Sequence, residues 1–156
     1  MNITVRPYHS SDFSHLAQVY KQGIVKLGPT RYTNNQVVAW SSFADDTDDF
    51  RKWINHSTIF VAVDLNMNIV GFACLETNGR ISSLFVAPEV MRKGVGTALL
   101  NYLIKEINLR DLNSFTTDAS EFSKPLFEKF GFTVKKLEHT QFKGVQFTRY
   151  QMILIP

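Results

Sequence analysis

Cysteine is almost missing from this 156-residue chain. The single thiol, Cys74, excludes an internal disulfide, and its place in an apolar run favours a buried, inert side chain over a nucleophile. No apolar stretch approaches the roughly 20 residues that cross a bilayer, and no basic segment followed by an apolar one opens the sequence. A cytoplasmic protein with no membrane partner is therefore expected. Charge of one sign is also scarce. Lys and Arg number 17 against 14 Asp and Glu, for a net charge of +3, and the basic residues are scattered instead of striped, which argues against nucleic acid. The acidic run Asp45-Asp46-Thr47-Asp48-Asp49 reads as a helix start capped by aspartate, with attraction of a cationic ligand as the alternative. Repeats, linkers and low-complexity tracts are absent. With 44% hydrophobic residues, the whole of 1–156 is expected to form one domain.

What is present is a concentrated glycine turn. Residues 91–97 read Met-Arg-Lys-Gly-Val-Gly-Thr, between the apolar run Leu84-Phe85-Val86 and an apolar-periodic stretch from Ala98. A turn that leaves a strand and opens a helix holds several unpaired N–H groups at the positive end of the helix dipole, an anion cradle. Gly94 and Gly96 carry no Cβ to hold a phosphate off the backbone, and Arg92 and Lys93 add positive charge at the rim. The Gly-Lys-Ser/Thr of a Walker loop and the three spaced glycines of a dinucleotide site are both missing.

The loop resembles the pyrophosphate loop of the GNAT superfamily of acyl-CoA-dependent N-acyltransferases, Gln/Arg-x-x-Gly-x-Gly/Ala at the end of the fourth strand. Gly94 and Gly96 take the glycine places, Pro88 lies in the turn before them, and Met91 departs from the pattern where Gln or Arg is usual. A second stretch, Asp118-Ala119-Ser120 through Phe127-Glu128-Lys129-Phe130-Gly131-Phe132, is similar to the family's later signature, a small residue or Asn followed by a short helix and an aromatic-Glu-Lys-x-Gly-Phe turn. The resemblance covers about residues 2–154.

Periodicity places the elements. Residues 2–7 alternate as a first strand, and Ser10 or Ser11 is expected to cap a helix carrying Phe13, Leu16, Val19, Tyr20 and Ile24, stopped by Gly28-Pro29. A short helix from Thr33 and another over 49–54 follow. Strands are expected at 58–64, 69–76 and 80–86 as an antiparallel meander, then the glycine loop and a helix to Ile107. A strand at 114–117, a helix at 122–129 and strands at 134–139 and 145–154 complete the order, which is the GNAT order. The resemblance implies an α/β (α+β) fold, a mixed, mostly antiparallel sheet of about seven strands with helices on both faces.

It also implies acetyl-CoA as co-substrate, with no metal, and an amine acceptor. Leu84, Phe85 and Val86 would line the pantetheine arm, Arg92, Lys93, Gly94, Val95, Gly96 and Thr97 would hold the pyrophosphate, and Ser120, Ser123, Lys124 and Phe127 would complete the cofactor site. Many relatives carry Tyr at the Phe127 place as proton donor to the departing thiolate. Phe cannot donate, so that step passes to another group or to water, or is unassisted, since a thiolate of pKa about 8.5 leaves readily. Tyr32, Gln36 and Trp40, at i, i+4 and i+8, resemble the acceptor-binding arrangement of a bacterial GNAT subgroup, although the same face would also serve a core.

The chemistry required is attack of a primary amine on a thioester, with a base to take the ammonium proton. Glu76 and Glu89 are the available carboxylates and His56 and His139 the outside candidates, while Tyr150 and Ser123 are candidate acids. Each base candidate would otherwise be a surface group. A small acceptor is expected, with a non-catalytic acetyl-CoA-binding regulator or a peptide acetyltransferase as alternatives. Homodimers are common in the superfamily.

Overall fold

The computed structural model describes residues 2–155. Its order is β1 (Thr4–Pro7), α1 (Phe13–Leu27), α2 (Asn34–Ser41), α3 (Thr47–Asn55), β2 (Thr58–Val63), β3 (Ile69–Leu75), β4 (Arg80–Val86), α4 (Val95–Leu109), β5 (Phe115–Ala119), α5 (Lys124–Lys129), β6 (Thr133–Phe142) and β7 (Val145–Leu154). The strands form one sheet ordered β1-β2-β3-β4-β5-β7-β6. Only β4 and β5 run parallel; every other neighbouring pair is antiparallel, the expected mixed sheet.

Strand alternation sorts the core onto two faces. Val61, Phe72 and Phe85 lie in register on one face, where Tyr20 of α1 packs 4.8 Å from the Phe85 ring and 5.2 Å from that of Phe50 on α3. Phe60, Ala73 and Leu84 share the other face, and Tyr102 of α4 stacks 5.0 Å from Phe60. Leu99, Leu100, Leu103 and Ile107, the apolar stripe of α4, are fully buried.

A small departure from regular pairing opens the sheet. Ile81 pairs with Leu75 and Ser83 with Cys74, so Ser82 is an extra residue, a bulge that bends β4. On its other edge β4 pairs with β5 only at Arg80–Thr116 and Ile81–Thr117, sealed by the Thr117 hydroxyl donating to the Ile81 carbonyl at 2.9 Å. Beyond that point the two strands part. Leu84, Phe85 and Val86 therefore run along one wall of a cleft whose far end is the glycine loop.

Several boundaries differ from the periodic reading for local reasons. Ser10 and Ser11 do not cap α1. The Asp12 carboxylate accepts the His9 N–H at 2.8 Å and two Arg6 bonds at 2.9 and 3.1 Å, so 10–12 form a 3-10 turn and α1 starts at Phe13. The bond from Arg6 holds the Asp12 carboxyl below its ordinary range. The acidic run does start a helix, with Asp46 accepting from the Asp49 N–H at 3.3 Å. The signature helix begins at Lys124 rather than 122, because the Ser120 hydroxyl accepts the Phe122 and Ser123 N–H groups, both at 3.2 Å, and winds 120–123 into a turn. β6 continues to Phe142, three residues past the expected end, since its ladder with β7 persists to the hairpin tip. Cys74 is 1% exposed and burial pushes its thiol up to about 11.

Candidate active site

The cleft beside β4 is a cavity of about 230 Å³, walled by β4, the start of α4, the turn after β5 and the last turns of α1. Leu84, Phe85, Val86, Arg92, Gly94, Val95, Gly96, Thr97, Ser120 and Ser123 line it. Three residues expected there do not. Lys93 is exposed outside the lining, and Lys124 reaches the other way, its Nζ 3.4 Å from Glu128 and 5.0 Å above the Tyr150 ring. Phe127 is 1% exposed, its ring 5.1 Å from that of Phe132, so it is a core residue; its neighbour Leu126 takes the place at the cavity wall. Gly23, Ile24 and Leu27 of α1 also line it, residues whose helical spacing reads only as core.

The loop has the conformation its sequence implies. The first helical bond of α4 runs from the Ala98 N–H to the Gly94 carbonyl at 2.9 Å, so the N–H groups of Val95, Gly96 and Thr97 precede the helical ladder at its positive end. Gly94 sits at φ 89° and Arg92 at φ 61°, a left-handed backbone that costs a residue with a Cβ roughly 1 kcal/mol. The glycines serve different purposes. A Cβ on Gly94 would meet nothing within 4 Å, so its φ is what requires glycine, whereas a Cβ on Gly96 would lie 2.9 Å from Leu126 Cδ2 and narrow the cavity between α4 and α5. Unpaired N–H groups, a cationic rim and missing Cβ bulk fit a phosphate.

A second cavity, about 350 Å³, lies under α2 and the β6–β7 hairpin, and Trp40 and Ser120 line both. Its walls are aromatic: Tyr32 lies 5.3 Å from Trp40 and Phe147 6.3 Å from each of them. Tyr32 precedes α2, with its hydroxyl accepting the Glu121 N–H at 3.1 Å and burial pushing its pKa upward. Gln36 is not part of this cavity. Its carbonyl accepts the Thr33 N–H at 2.9 Å in a capping box and its amide donates to the Gln146 carbonyl at 2.9 Å, so the group expected to meet the acceptor ties α2 to the hairpin. The hairpin is also joined to the segment after α2 by Lys143 Nζ to Ser42 Oγ at 2.8 Å and by the Phe43 and Phe142 rings at 5.7 Å. Asp118 and Arg149, which periodicity did not single out, are the charged residues of the lining.

Residues 29–154 match the family described as the Acetyltransferase (GNAT) domain. This chain belongs to the GNAT acetyltransferases. It is 32% identical over 151 residues to the uncharacterized N-acetyltransferase YafP of Escherichia coli K12, covering 97% of this chain and 95% of that protein. The crystal structure of a GCN5-related N-acetyltransferase from Rhodopseudomonas palustris superposes with a TM-score of 0.94 at 28% identity, over 100% of this chain and 97% of that one. The PaiA N-acetyltransferase of Thermoplasma acidophilum, solved in complex with coenzyme A, shares the fold at a TM-score of 0.75 and 18% identity, over 100% of both chains. The protein is thus an acyltransferase by family. No helix among the described residues is long and apolar enough to cross a membrane.

Within this GNAT domain the expected catalytic groups stand apart from the junction of the cavities. Glu76 is bound by Arg80 and borders a separate groove with Lys52, Trp53 and His56, so it lines neither cavity. Tyr150 donates to Glu121 Oε1 at 2.7 Å, a bond that raises its pKa, and is likewise outside both linings. Ser123 does line the first cavity, but its Oγ accepts the Ser120 N–H at 3.0 Å. Glu89 borders a groove between α1 and the β2–β3 turn, and His139 meets the Thr148 hydroxyl at 3.3 Å on an exposed strand. Among the residues lining the two cavities, Asp118 is the one carboxylate. Its Oδ2 accepts from Arg80 Nη2 at 2.7 Å, while Oδ1 has no hydrogen-bond partner among the described residues. The sequence signal for it was its place two residues before Ser120 in the family signature.

Proposed function

We propose that this enzyme moves the acetyl group of acetyl-CoA onto the primary amine of a small acceptor by direct attack in a ternary complex. The observation that carries the reading is the pair of cavities sharing Trp40 and Ser120, one reaching the anion-binding loop and the other walled by aromatic rings. PaiA with coenzyme A and yncA of Salmonella typhimurium with acetyl-CoA, both of this fold, support acetyl-CoA as the donor.

In this reading the N–H groups of Val95, Gly96 and Thr97 bind the pyrophosphate with Arg92 beside them, and the free edge of β4 holds the pantetheine arm. Holding both reactants at one junction supplies most of the rate gain. The acceptor ammonium loses a proton to water or to Asp118 Oδ1; the freed amine attacks the thioester carbonyl, a C–N bond forms and the C–S bond breaks. The thiolate takes up one proton, and the amide nitrogen releases another to solvent. Phe127 supplies no proton, being buried in the core. Water or the Tyr32 and Ser120 hydroxyls at the junction serve instead. The volume of the second cavity, about 350 Å³, and its aromatic walls support a small acceptor.

The test is acetyl-CoA-dependent thiol release against amines, amino acids, polyamines and peptides, run beside calorimetric titration with acetyl-CoA. Acetyl-CoA binding with turnover of a small amine is the expected result. Binding without turnover of any acceptor would favour a non-catalytic sensor, and turnover of peptides alone would overturn the small-acceptor reading.

A further inference from the structure

We infer that the acceptor is an α-amino acid with a large apolar side chain, its carboxylate held by Arg149. The inference rests on the acetyl-transfer reading above and assigns the acceptor class to the second cavity.

Three observations converge. First, Arg149 offers a fork that carries no hydrogen bond, with Asp118 Oδ2 at 4.0 Å from its Nη1. Its Nε donates to Glu138 at 2.9 Å, which fixes the guanidinium plane, while Nη1 and Nη2 donate no hydrogen bond among the described residues. Parallel N–H groups on a fixed plane match a carboxylate bidentately. Second, that fork lies beside the junction. The β5–β7 register ends on the pair Ala119 and Tyr150, the neighbours of Ser120 and Arg149 in sequence; both of these line the second cavity, and Ser120 lines the first as well. A carboxylate on Arg149 is thus close to the place where an amine must meet the thioester. Third, the charges of the lining mirror a zwitterion. Asp118 Oδ2 and Arg149 Nη1 are 4.0 Å apart, an acceptor of the ammonium next to a donor to the carboxylate, as the two groups of an α-amino acid require.

The rest of the cavity selects the side chain. Phe43, Trp53, Phe142 and Phe147 line the same cavity, apolar walls for an aromatic or large aliphatic group. A polyamine fits poorly, because its several ammonium groups would meet a lining with one carboxylate, Asp118, and a like-charged guanidinium, Arg149.

The experiment compares three matched acceptors, L-phenylalanine, its amide and phenethylamine, with spermidine as a fourth, at saturating acetyl-CoA. Phenylalanine should exceed its amide and phenethylamine in kcat/KM by about ten- to a hundredfold, the range of one charge-assisted pair. Arg149→Gln should cut kcat/KM for phenylalanine by a similar factor, mainly through KM, and lower that for phenethylamine far less, so that the preference collapses. Rates for phenethylamine or spermidine equal to or above those for phenylalanine in the wild-type enzyme would overturn the inference, as would no turnover of phenylalanine by enzyme that binds acetyl-CoA. Equal losses on both substrates in a folded Arg149→Gln protein would do the same. Failure to bind acetyl-CoA would instead remove the acetyl-transfer reading itself, and the titration separates that case.

Discussion

The first cavity takes much of its polar surface from one short segment, Arg92 and Gly94 to Thr97, where main-chain N–H groups open α4 and any side chains compatible with the loop would leave them in place. The second cavity takes its surface from side chains on α1, α2, α3, β5, β6 and β7 and the segments flanking α2, reaching from Tyr20 to Arg149. The β6–β7 hairpin that bounds it is tied to the segment after α2 by a bond between residues as far apart as Ser42 and Lys143. A site built from backbone can be spelled by a short motif, because a turn type demands particular residues at fixed spacing. A site built from side chains on separate elements leaves no such spelling. The first cavity is therefore the part of the site that a short motif can spell, and the second the part that it cannot.

Four substitutions break or sharpen this contrast, from the largest effect to the smallest. Gly96→Val places methyl groups where even a Cβ comes 2.9 Å from Leu126, and should weaken acetyl-CoA binding by about a hundredfold or more in calorimetry. The sheet should stay folded by circular dichroism; undiminished affinity would remove the cradle. Asp118→Asn removes the carboxylate of the acceptor side, so kcat should fall by about a hundredfold, the scale of general-base catalysis, while acetyl-CoA affinity is retained. A kcat within twofold of wild type would leave water as the sole base.

Trp40→Ala acts on the shared wall. The ring is half-buried and packs 5.3 Å from Tyr32 and 6.2 Å from Phe85, so about 2–3 kcal/mol of stability should be lost together with roughly tenfold in acceptor KM. Loss of stability with unchanged acceptor KM would make Trp40 core alone. Asp12→Asn lies outside both cavities and is the control. Arg6 depresses the folded-state pKa of Asp12, so the stability it contributes is present above the unfolded value and disappears as pH falls through the folded one. Urea melts at pH 7 should show a loss of about 1 kcal/mol that vanishes in strong acid, with kinetic constants unaltered.

The donor half of the site was legible to the extent that it is local. Leu84 to Val86, Arg92 and Gly94 to Thr97 line the first cavity, where the motif implied, and Lys93 does not. Phe127 and Lys124 mark the limit of carrying positions across from a family: the signature locates a helix, and the rotation of that helix decides which side faces the cavity, here Leu126. Gln36 shows the same on α2. Its spacing from Tyr32 and Trp40 is helical, yet its amide is consumed by Thr33 and by Gln146, a partner 110 positions away that no window of sequence contains.

By itself, then, the amino-acid order determined the alternation that makes seven strands, the apolar stripes of α1 and α4, and the glycine turn with its free N–H groups, since each depends on spacing of a few residues and on backbone sterics. Tertiary structure decided the rest. The Ser82 bulge and the two-pair contact between β4 and β5 opened the cleft, and strand register brought Asp118 and Arg149 together beside Ser120. Those choices depend on how elements pack and pair across the sheet, where burial of side chains from distant segments sets the balance.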